Sequence, residues 1–237
     1  MKSWIGTSGF QYSEWKGTFY PEDLPAAKML PFYAEQFSTT EINYTFHRIP
    51  APKTIENWKQ LTPDNFRFSL KAPQKITHWS KLRDCADTLE YFCKVAAGLG
   101  ERLGPVLFQL PPNFKKDVDV FSSFLRELPS MRVAFEFRHE SWFDDEIYEA
   151  LKTRKAALCI ADTENLVTPK VATANYGYLR LRREDYNKID IEHWADFVRS
   201  QNGWNDAFIY FKHEEAGIGP KLAKQMIAIL EQGRQRI

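Results

Sequence analysis

The segment Val133-Ala134-Phe135-Glu136-Phe137-Arg138-His139 contains the pattern on which the fold prediction rests. It begins as a short run of β-branched and aromatic residues, which favour a buried strand, and it ends in polar and charged side chains. Because successive side chains on a strand point to opposite faces, Glu136 and Arg138 share one face. The segment therefore predicts a buried strand that carries a charged pair to one of its ends.

Seven further runs have the same character, and most are followed by a helical pattern. They are Trp4–Thr7, Thr39–Asn43, Phe66–Lys71, Val106–Leu110, Ala157–Ala161, Tyr176–Arg182 and Ala207–Phe211. A spacing of about 20 to 40 residues suits one strand and one crossover helix in each unit. Residues 1–237 are therefore predicted to form a single α/β domain, a TIM-barrel-like (β/α)8 closed parallel barrel.

Composition and charge argue against several classes of function. The 32 Lys and Arg residues nearly cancel the 31 Asp and Glu residues, so no global field attracts nucleic acid or an anionic membrane. Cys85, Cys93 and Cys159 lack the number and spacing of a disulfide framework or a zinc site. The amino terminus lacks a secretory signal pattern, and no apolar stretch is as long as a membrane span. We expect a cytoplasmic protein with a small-molecule ligand, and we leave its oligomeric state open.

Polar residues concentrate at the carboxyl ends of the predicted strands, which form the catalytic face of a TIM barrel. Several are two residues apart, so both side chains of each pair point to one face. The pairs are Glu41 with Asn43, Ser69 with Lys71, Glu136 with Arg138, and Arg180 with Arg182. Burying so many charged groups costs several kcal/mol each unless they pair or bind a ligand. The sequence therefore predicts a functional site at the mouth of the barrel.

We expect an enzyme there that acts on a small polar or anionic metabolite, sugar-like or phosphate-like, by acid–base chemistry, as a hydrolase or an isomerase. Glu136 or Glu41 is the expected general base. The candidate catalytic residues are Glu41, Glu136, Asp162, Lys71 and His78. The candidate substrate-binding residues are Asn43, Gln109, Arg138, His139, Arg180, Arg182, Tyr12 and Trp15. The alternative is a non-catalytic protein that holds a ligand or partner in the same pocket.

Structural alternatives accompany these assignments. Glu136 with Arg138, or Glu41 with Arg180, could form ion pairs that only close the interior. Lys71 could be a Schiff-base or electrophilic lysine, although the sequence favours a salt-bridged structural lysine.

A divalent metal is a further alternative, because histidines follow several predicted strands. They are His47, His78, His139 and His213. No HxH or HExxH spacing is present, and histidines in loops more often cap helices or bind backbone groups. No metal ligand is therefore assigned, and the cofactor is left unknown.

Two segments have more than one interpretation. The aromatic segment Phe10–Pro21 could wall the pocket with rings, or it could be a hydrophobic plug over the barrel mouth. The basic run Leu179–Arg183 is typical of a phosphate or RNA contact, but Glu184 and Asp185 follow it at once. A solvated or paired cluster is therefore favoured over nucleic-acid binding.

Ordered motifs along nearly the whole chain resemble the domain of unknown function 72 family, also called YecE-like. They are Gly6-Thr7-Ser8-Gly9-Phe10 with Tyr12, Trp15, Gly17 and Phe19-Tyr20-Pro21, then Glu41-Ile42-Asn43 with Phe46, Lys71 with Ile76-Thr77-His78, Leu107-Phe108-Gln109-Leu110-Pro111-Pro112, Glu136-Phe137-Arg138-His139 with Ser141-Trp142, and Tyr210-Phe211. The resemblance implies a TIM-barrel-type fold and no established activity. Where the family commonly has Arg-Leu-His-Gly on the seventh strand, this chain has Arg180-Leu181-Arg182-Arg183. It also has Phe211-Lys212-His213-Glu214 where the family often has Phe-Asn-Asn.

Overall fold

The computed structural model describes residues 1–164 and 166–234. Within these residues, eight strands form at the eight predicted runs. They are β1 (Lys2–Thr7), β2 (Thr39–Ile42), β3 (Arg67–Leu70), β4 (Val106–Gln109), β5 (Val133–Glu136), β6 (Ala157–Asp162), β7 (Tyr176–Leu181) and β8 (Asp206–Phe211). The helices are α1 (Ala26–Gln36), α2 (Tyr44–His47), α3 (Pro52–Gln60), α4 (Ala86–Ala97), α5 (Val118–Glu127), α6 (Asp145–Arg154), α7 (Lys188–Arg199) and α8 (Ile218–Arg234). The result is an α/β fold in which strands and helices largely alternate.

The strands pair in parallel, in two sheets. One sheet of six has the order β1-β8-β7-β6-β5-β4, and a second sheet pairs β2 with β3. Isolated parallel bridges join Ser8 to Glu41 and Lys71 to Leu107, at the two seams between the sheets. The α/β class and the parallel pairing are thus confirmed, whereas among residues 1–164 and 166–234 the strand ladders do not form one closed sheet.

The two faces of the strands bury different side chains. The outer faces pack against the helices in the main hydrophobic core. The inner faces bury a second cluster, of Trp4, Leu107, Ala134, Ala157, Cys159, Tyr176, Tyr178, Phe208 and Tyr210. The hydroxyl of Tyr210 on β8 is 2.8 Å from Thr39 Oγ1 on β2 and 2.8 Å from Ser69 Oγ on β3. The inner faces of the two sheets therefore face each other.

Side-chain caps begin three of the helices at definite residues. The Asp117 carboxylate accepts the backbone N–H of Val120 at 3.1 Å and caps α5, and Asp144 caps α6. α7 begins at Lys188. Asn187 is its cap, and Asp190 completes a capping box. Within the described ranges, no helix has the length and apolar character needed to cross a bilayer.

Candidate functional site

A buried arginine on β7 links side chains from three other strands near their carboxyl ends. Arg180 on β7 is only 1% exposed. Its Nη1 donates to Glu136 Oε2 on β5 at 2.6 Å, and its Nη2 donates to Glu41 Oε1 on β2 at 2.9 Å. Nη1 also reaches Gln109 Oε1 on β4 at 3.4 Å. Because Glu41 and Glu136 are fully buried, Arg180 is the counterion that makes their charges tolerable in this interior.

Glu41 has a complete set of partners. Its Oε1 accepts the hydroxyl of Ser8 as well as Nε and Nη2 of Arg180, and its Oε2 accepts the hydroxyl of Tyr178 at 2.6 Å. The Asn43 amide donates to Ser8 Oγ at 2.8 Å, which fixes the serine from the other side. Hydrogen-bond donors therefore satisfy both oxygens of the Glu41 carboxylate, which is typical of a buried carboxylate with a structural role.

Glu136 lies between two guanidinium groups. Burial by itself raises the pKa of this carboxyl, but Arg180 and Arg138 outweigh burial and lower the pKa to about 2. Arg138 forms an ion pair with Glu136 through Nη2, while its buried Nε has no hydrogen-bond partner among the described residues. A carboxylate with so low a pKa is a weak proton acceptor. The geometry therefore gives Glu136 the character of an anchor for the two arginines.

Lys71 lies at the end of β3, beside this network. Its Nζ is 4.0 Å from the centroid of the Phe46 ring, and none of the described carboxylates forms an ion pair with it. Burial and the nearby Arg180 lower the pKa of its ammonium group to about 8, although Glu136 and Glu41 oppose this shift. The salt-bridged lysine favoured by the sequence is therefore not what the structure contains.

His78 and His139 lie near the same end of the strands with different contacts. The ring of His78 packs edge-on against Phe46, with centroids 4.9 Å apart, and its Nδ1 is 2.9 Å from Thr77 Oγ1. Burial and the nearby Lys71 lower the pKa of His78. His139 instead accepts the backbone N–H of Ser141 through Nδ1 at 3.1 Å, so it caps a short 3-10 turn.

Two predicted site residues, Asp162 and Trp15, lie apart from the network. Asp162 shares the outer face of β6 with the core residues of that strand and accepts bonds from the Tyr186 hydroxyl at 2.6 Å and Trp194 Nε1 at 3.1 Å. Trp15 is fully buried in the aromatic core, so its ring offers no surface to a ligand. Arg182 lies beyond the end of β7, where its backbone N–H donates to the Asp162 carbonyl.

Tyr12 lies at the edge of the site. Its hydroxyl donates to the Ser8 carbonyl at 2.8 Å, and its ring is 4.8 Å from that of Trp15. With Asn43, Tyr12 lines a cavity of about 390 Å³ next to the network. The aromatic segment around it mostly packs inward, since Trp15 and Tyr20 are buried, and so has the character of a plug.

The predicted histidines do not gather around a shared position. Nε2 of His213 donates to the Arg183 carbonyl at 2.7 Å, and His47 is exposed. Among the residues that the structure describes, no three His, Cys, Asp or Glu side chains are grouped as metal ligands.

Two members of the network, Ser8 and Tyr178, were not among the site residues expected from the sequence. Ser8 follows Gly6 and Tyr178 precedes Arg180, each by two residues on the same strand face. Side chains two residues apart on a strand share a face. The period that pairs Glu136 with Arg138 therefore also places Ser8 and Tyr178 on the inner face.

Comparison with known proteins confirms the resemblance seen in the motifs. A family model described as "Protein of unknown function DUF72" matches residues 4–237. The chain belongs to the DUF72 family. UPF0759 protein YunF of Bacillus subtilis is 24% identical over 96% of this chain and 94% of its own length. UPF0759 protein YecE of Escherichia coli K12 is 34% identical over 113 residues, which are 47% of this chain and 42% of YecE, so the match spans less than half of that relative.

Solved structures of DUF72 proteins have the same fold. A DUF72 protein from Thermotoga maritima superposes with a TM-score of 0.84 at 26% identity, over 98% of this chain and 100% of the other. A DUF72 protein from Enterococcus faecalis has a TM-score of 0.80 at 18% identity, over 97% of this chain and 95% of the other. These comparisons establish the family and the α/β fold, and they assign no activity.

Proposed function

We propose that this DUF72 protein binds a small anionic metabolite at the carboxyl ends of its strands and acts on it by acid–base chemistry, as a hydrolase or an isomerase. The charge balance of the site carries the proposal. Glu41 and Glu136 are balanced by Arg180 and Arg138, and Lys71 adds a cation that forms no ion pair with a described carboxylate. A half-buried cation is costly without a counterion, and an anionic ligand supplies one.

The proposal includes a closed (β/α)8 barrel around the network, formed by residues 1–237 as one domain. Two observations support closure. The backbone N–H of Gly9 donates to the Glu41 carbonyl at 2.7 Å, across the seam between β1 and β2. The backbone N–H of Ala72 donates to the Leu107 carbonyl at 2.8 Å, across the seam between β3 and β4. We also propose a cytoplasmic location, which the three free, buried cysteines Cys85, Cys93 and Cys159 support.

Lys71 and His78 are the proposed acid–base groups. A pKa of about 8 at Lys71 lies close to neutral pH, where a group both gives and accepts protons effectively. His78 shares the Phe46 ring with Lys71, so both reach the same side of the site. Glu41 and Glu136, the bases expected from the sequence, hold the arginines in this scheme. Arg138 binds the anion through Nε, which has no partner in the described ranges.

A thermal-shift screen with inorganic phosphate, sugar phosphates and organic acids, each compared with its neutral analogue, tests the proposal. A ligand at about 100 times its Kd adds roughly 2.7 kcal/mol, which raises the Tm of a chain of this size by about 5–10 °C. Arg138→Gln should abolish the shift, whereas Arg126→Gln, at an exposed arginine on α5, should retain it. No shift with any anion, or equal shifts with the neutral analogues, contradicts the proposal.

The second candidate is a non-catalytic binding protein that uses the same site. The depressed pKa of Glu136 and the filled hydrogen bonds of Glu41 favour it, because such carboxylates are poor bases. Saturable stabilisation by an anion without any chemical change in it, followed by ³¹P and ¹H NMR, supports the binder. Turnover supports the enzyme.

A further inference from the structure

We propose that Lys71 is a nucleophilic amine that forms a Schiff base with a small aldehyde or ketone carrying a carboxylate or phosphate group. This inference rests on the proposed function and names the substrate class of the same site. It is carried by the position of the amine at the end of β3, by its contacts, and by the cations around it.

The backbone of Lys71 is held from three sides. Its N–H donates to the Ile42 carbonyl at 3.1 Å, and its own carbonyl accepts the Thr45 hydroxyl at 2.6 Å. The next residue, Ala72, donates its N–H to the Leu107 carbonyl. A side chain that starts from such a fixed point loses little further freedom when it reacts.

Within the part of the chain that the structure describes, the amine forms no ion pair of the kind that holds other lysines. Lys116, for comparison, lies 3.1 Å from Asp144 and 3.7 Å from Glu146. Lys71 Nζ instead lies over the Phe46 ring, which offers no proton acceptor of comparable strength. Schiff-base lysines are activated in this way, by desolvation and by neighbouring cations, because both disfavour the ammonium form.

Neighbouring cations are also the reason why we expect the substrate to carry an anionic group. Arg180 and Lys212 both disfavour the ammonium form of Lys71, so they lie within electrostatic reach of its Nζ. Arg138 keeps a buried Nε that no described residue hydrogen-bonds. A carboxylate or phosphate on the substrate would bind Arg138 in the field of these cations and leave the carbonyl carbon near the amine.

The covalent step is balanced without an added reactant. The ammonium group first gives up a proton, and the neutral amine attacks the carbonyl carbon to form a C–N bond. The carbonyl oxygen takes up the proton and then a second one, and it leaves as water while the iminium forms. The second proton comes from the attacking nitrogen, so the sum is one ammonium and one carbonyl giving one iminium and one water, with no net gain or loss of protons. His78 can carry this proton on its Nε2 atom, because its other ring nitrogen, Nδ1, faces Thr77.

Reductive trapping tests the inference on the full-length protein. The protein is incubated with glyoxylate, pyruvate or glyceraldehyde 3-phosphate and sodium cyanoborohydride, and it is then analysed by intact mass and peptide mapping. We expect one adduct per chain on Lys71, formed roughly tenfold faster than at exposed lysines because more of the amine is neutral at pH 7. Lys71→Arg should lose the adduct. Lys75→Arg, at an exposed lysine of the same segment, should retain it.

The outcomes separate this inference from the proposed function. Lactate is an anion without an aldehyde or ketone group, so it cannot form a Schiff base. Its thermal shift tests anion binding alone. Stabilisation by lactate without trapping at Lys71 overturns the Schiff base and leaves anion binding standing. Trapping at Lys71 without stabilisation by any anion supports the amine and overturns the anion site. Adducts spread evenly over exposed lysines, or retained in Lys71→Arg, overturn the inference.

Discussion

Nη1 of Arg180 on β7 lies 2.6 Å from Oε2 of Glu136 on β5, and both side chains are buried. Removing one partner of a buried pair leaves the other charge uncompensated, which costs about 3–5 kcal/mol. We therefore expect Arg180→Met to lower the free energy of unfolding by about that amount, measured by urea denaturation at pH 7. Arg126→Met, at an exposed arginine, should change it by less than about 0.5 kcal/mol. Equal stability of the two variants would show that Arg180 is not the counterion described.

The low pKa of Glu136 predicts how stability depends on acid. Because the folded-state pKa is about 2 and the ordinary value is 4.5, this carboxylate stabilises the fold above the ordinary pKa. The contribution, roughly 3 kcal/mol, is lost as the pH falls from about 5 to about 2. Glu136→Gln should therefore flatten the acid limb of a plot of unfolding free energy against pH. An unchanged acid limb in the variant would contradict the assignment.

The lowered pKa of Lys71 predicts a second rise of stability, in the basic pH range. Its folded-state pKa is lowered to about 8, so between pH 8 and the ordinary value of 10.5 the unfolded chain binds more protons and stability rises with pH. Lys71→Met should remove this rise and stabilise the protein at pH 7 by about 1–2 kcal/mol, because a desolvated cation is removed. Thermal unfolding at pH 7 and pH 9.5 measures both effects. A destabilised Lys71→Met at pH 7 would mean that Lys71 has a stabilising counterion.

Removing the Tyr178 hydroxyl should lower the free energy of unfolding by less than removing the Arg180 charge. It donates to Glu41 Oε2 at 2.6 Å in the buried network. Tyr178→Phe leaves a lone pair of a buried carboxylate unsatisfied, which costs about 1–3 kcal/mol. The matched control is Tyr148→Phe on α6, at a buried tyrosine whose hydroxyl forms no hydrogen bond with a described residue. Indistinguishable urea midpoints for the two variants would contradict the role of Tyr178.

The sequence predicted the network to the extent that it depends on the strand period. Glu41, Glu136, Arg138 and Arg180 were expected on one face, and the structure brings all four together. Asp162 was expected at the same mouth, but it follows Ala161 by one residue and so points to the outer face of β6. A shift of one position reverses the face, and the apolar run alone does not fix that register.

The remainder depends on tertiary packing that no local pattern contains. Trp15 was expected as a ligand contact because aromatic rings are unusual in a loop. Its loop folds back so that Trp15 packs against Tyr20 and Phe19. The environment of Lys71 is set by Phe46 and by Arg180, which is distant in sequence. The sequence does not reveal that its amine forms no ion pair with a described carboxylate.

The most direct test of an anion site beside Lys71 and Arg138 is anomalous diffraction from crystals of the protein grown with selenate, a tetrahedral dianion. We expect an anomalous peak within hydrogen-bond distance of Arg138 Nε, on the side of Lys71 Nζ, and the loss of that peak in Arg138→Gln. Selenate bound only at exposed lysines and arginines, with the space beside Lys71 and Arg138 empty at the same concentration, would contradict the account.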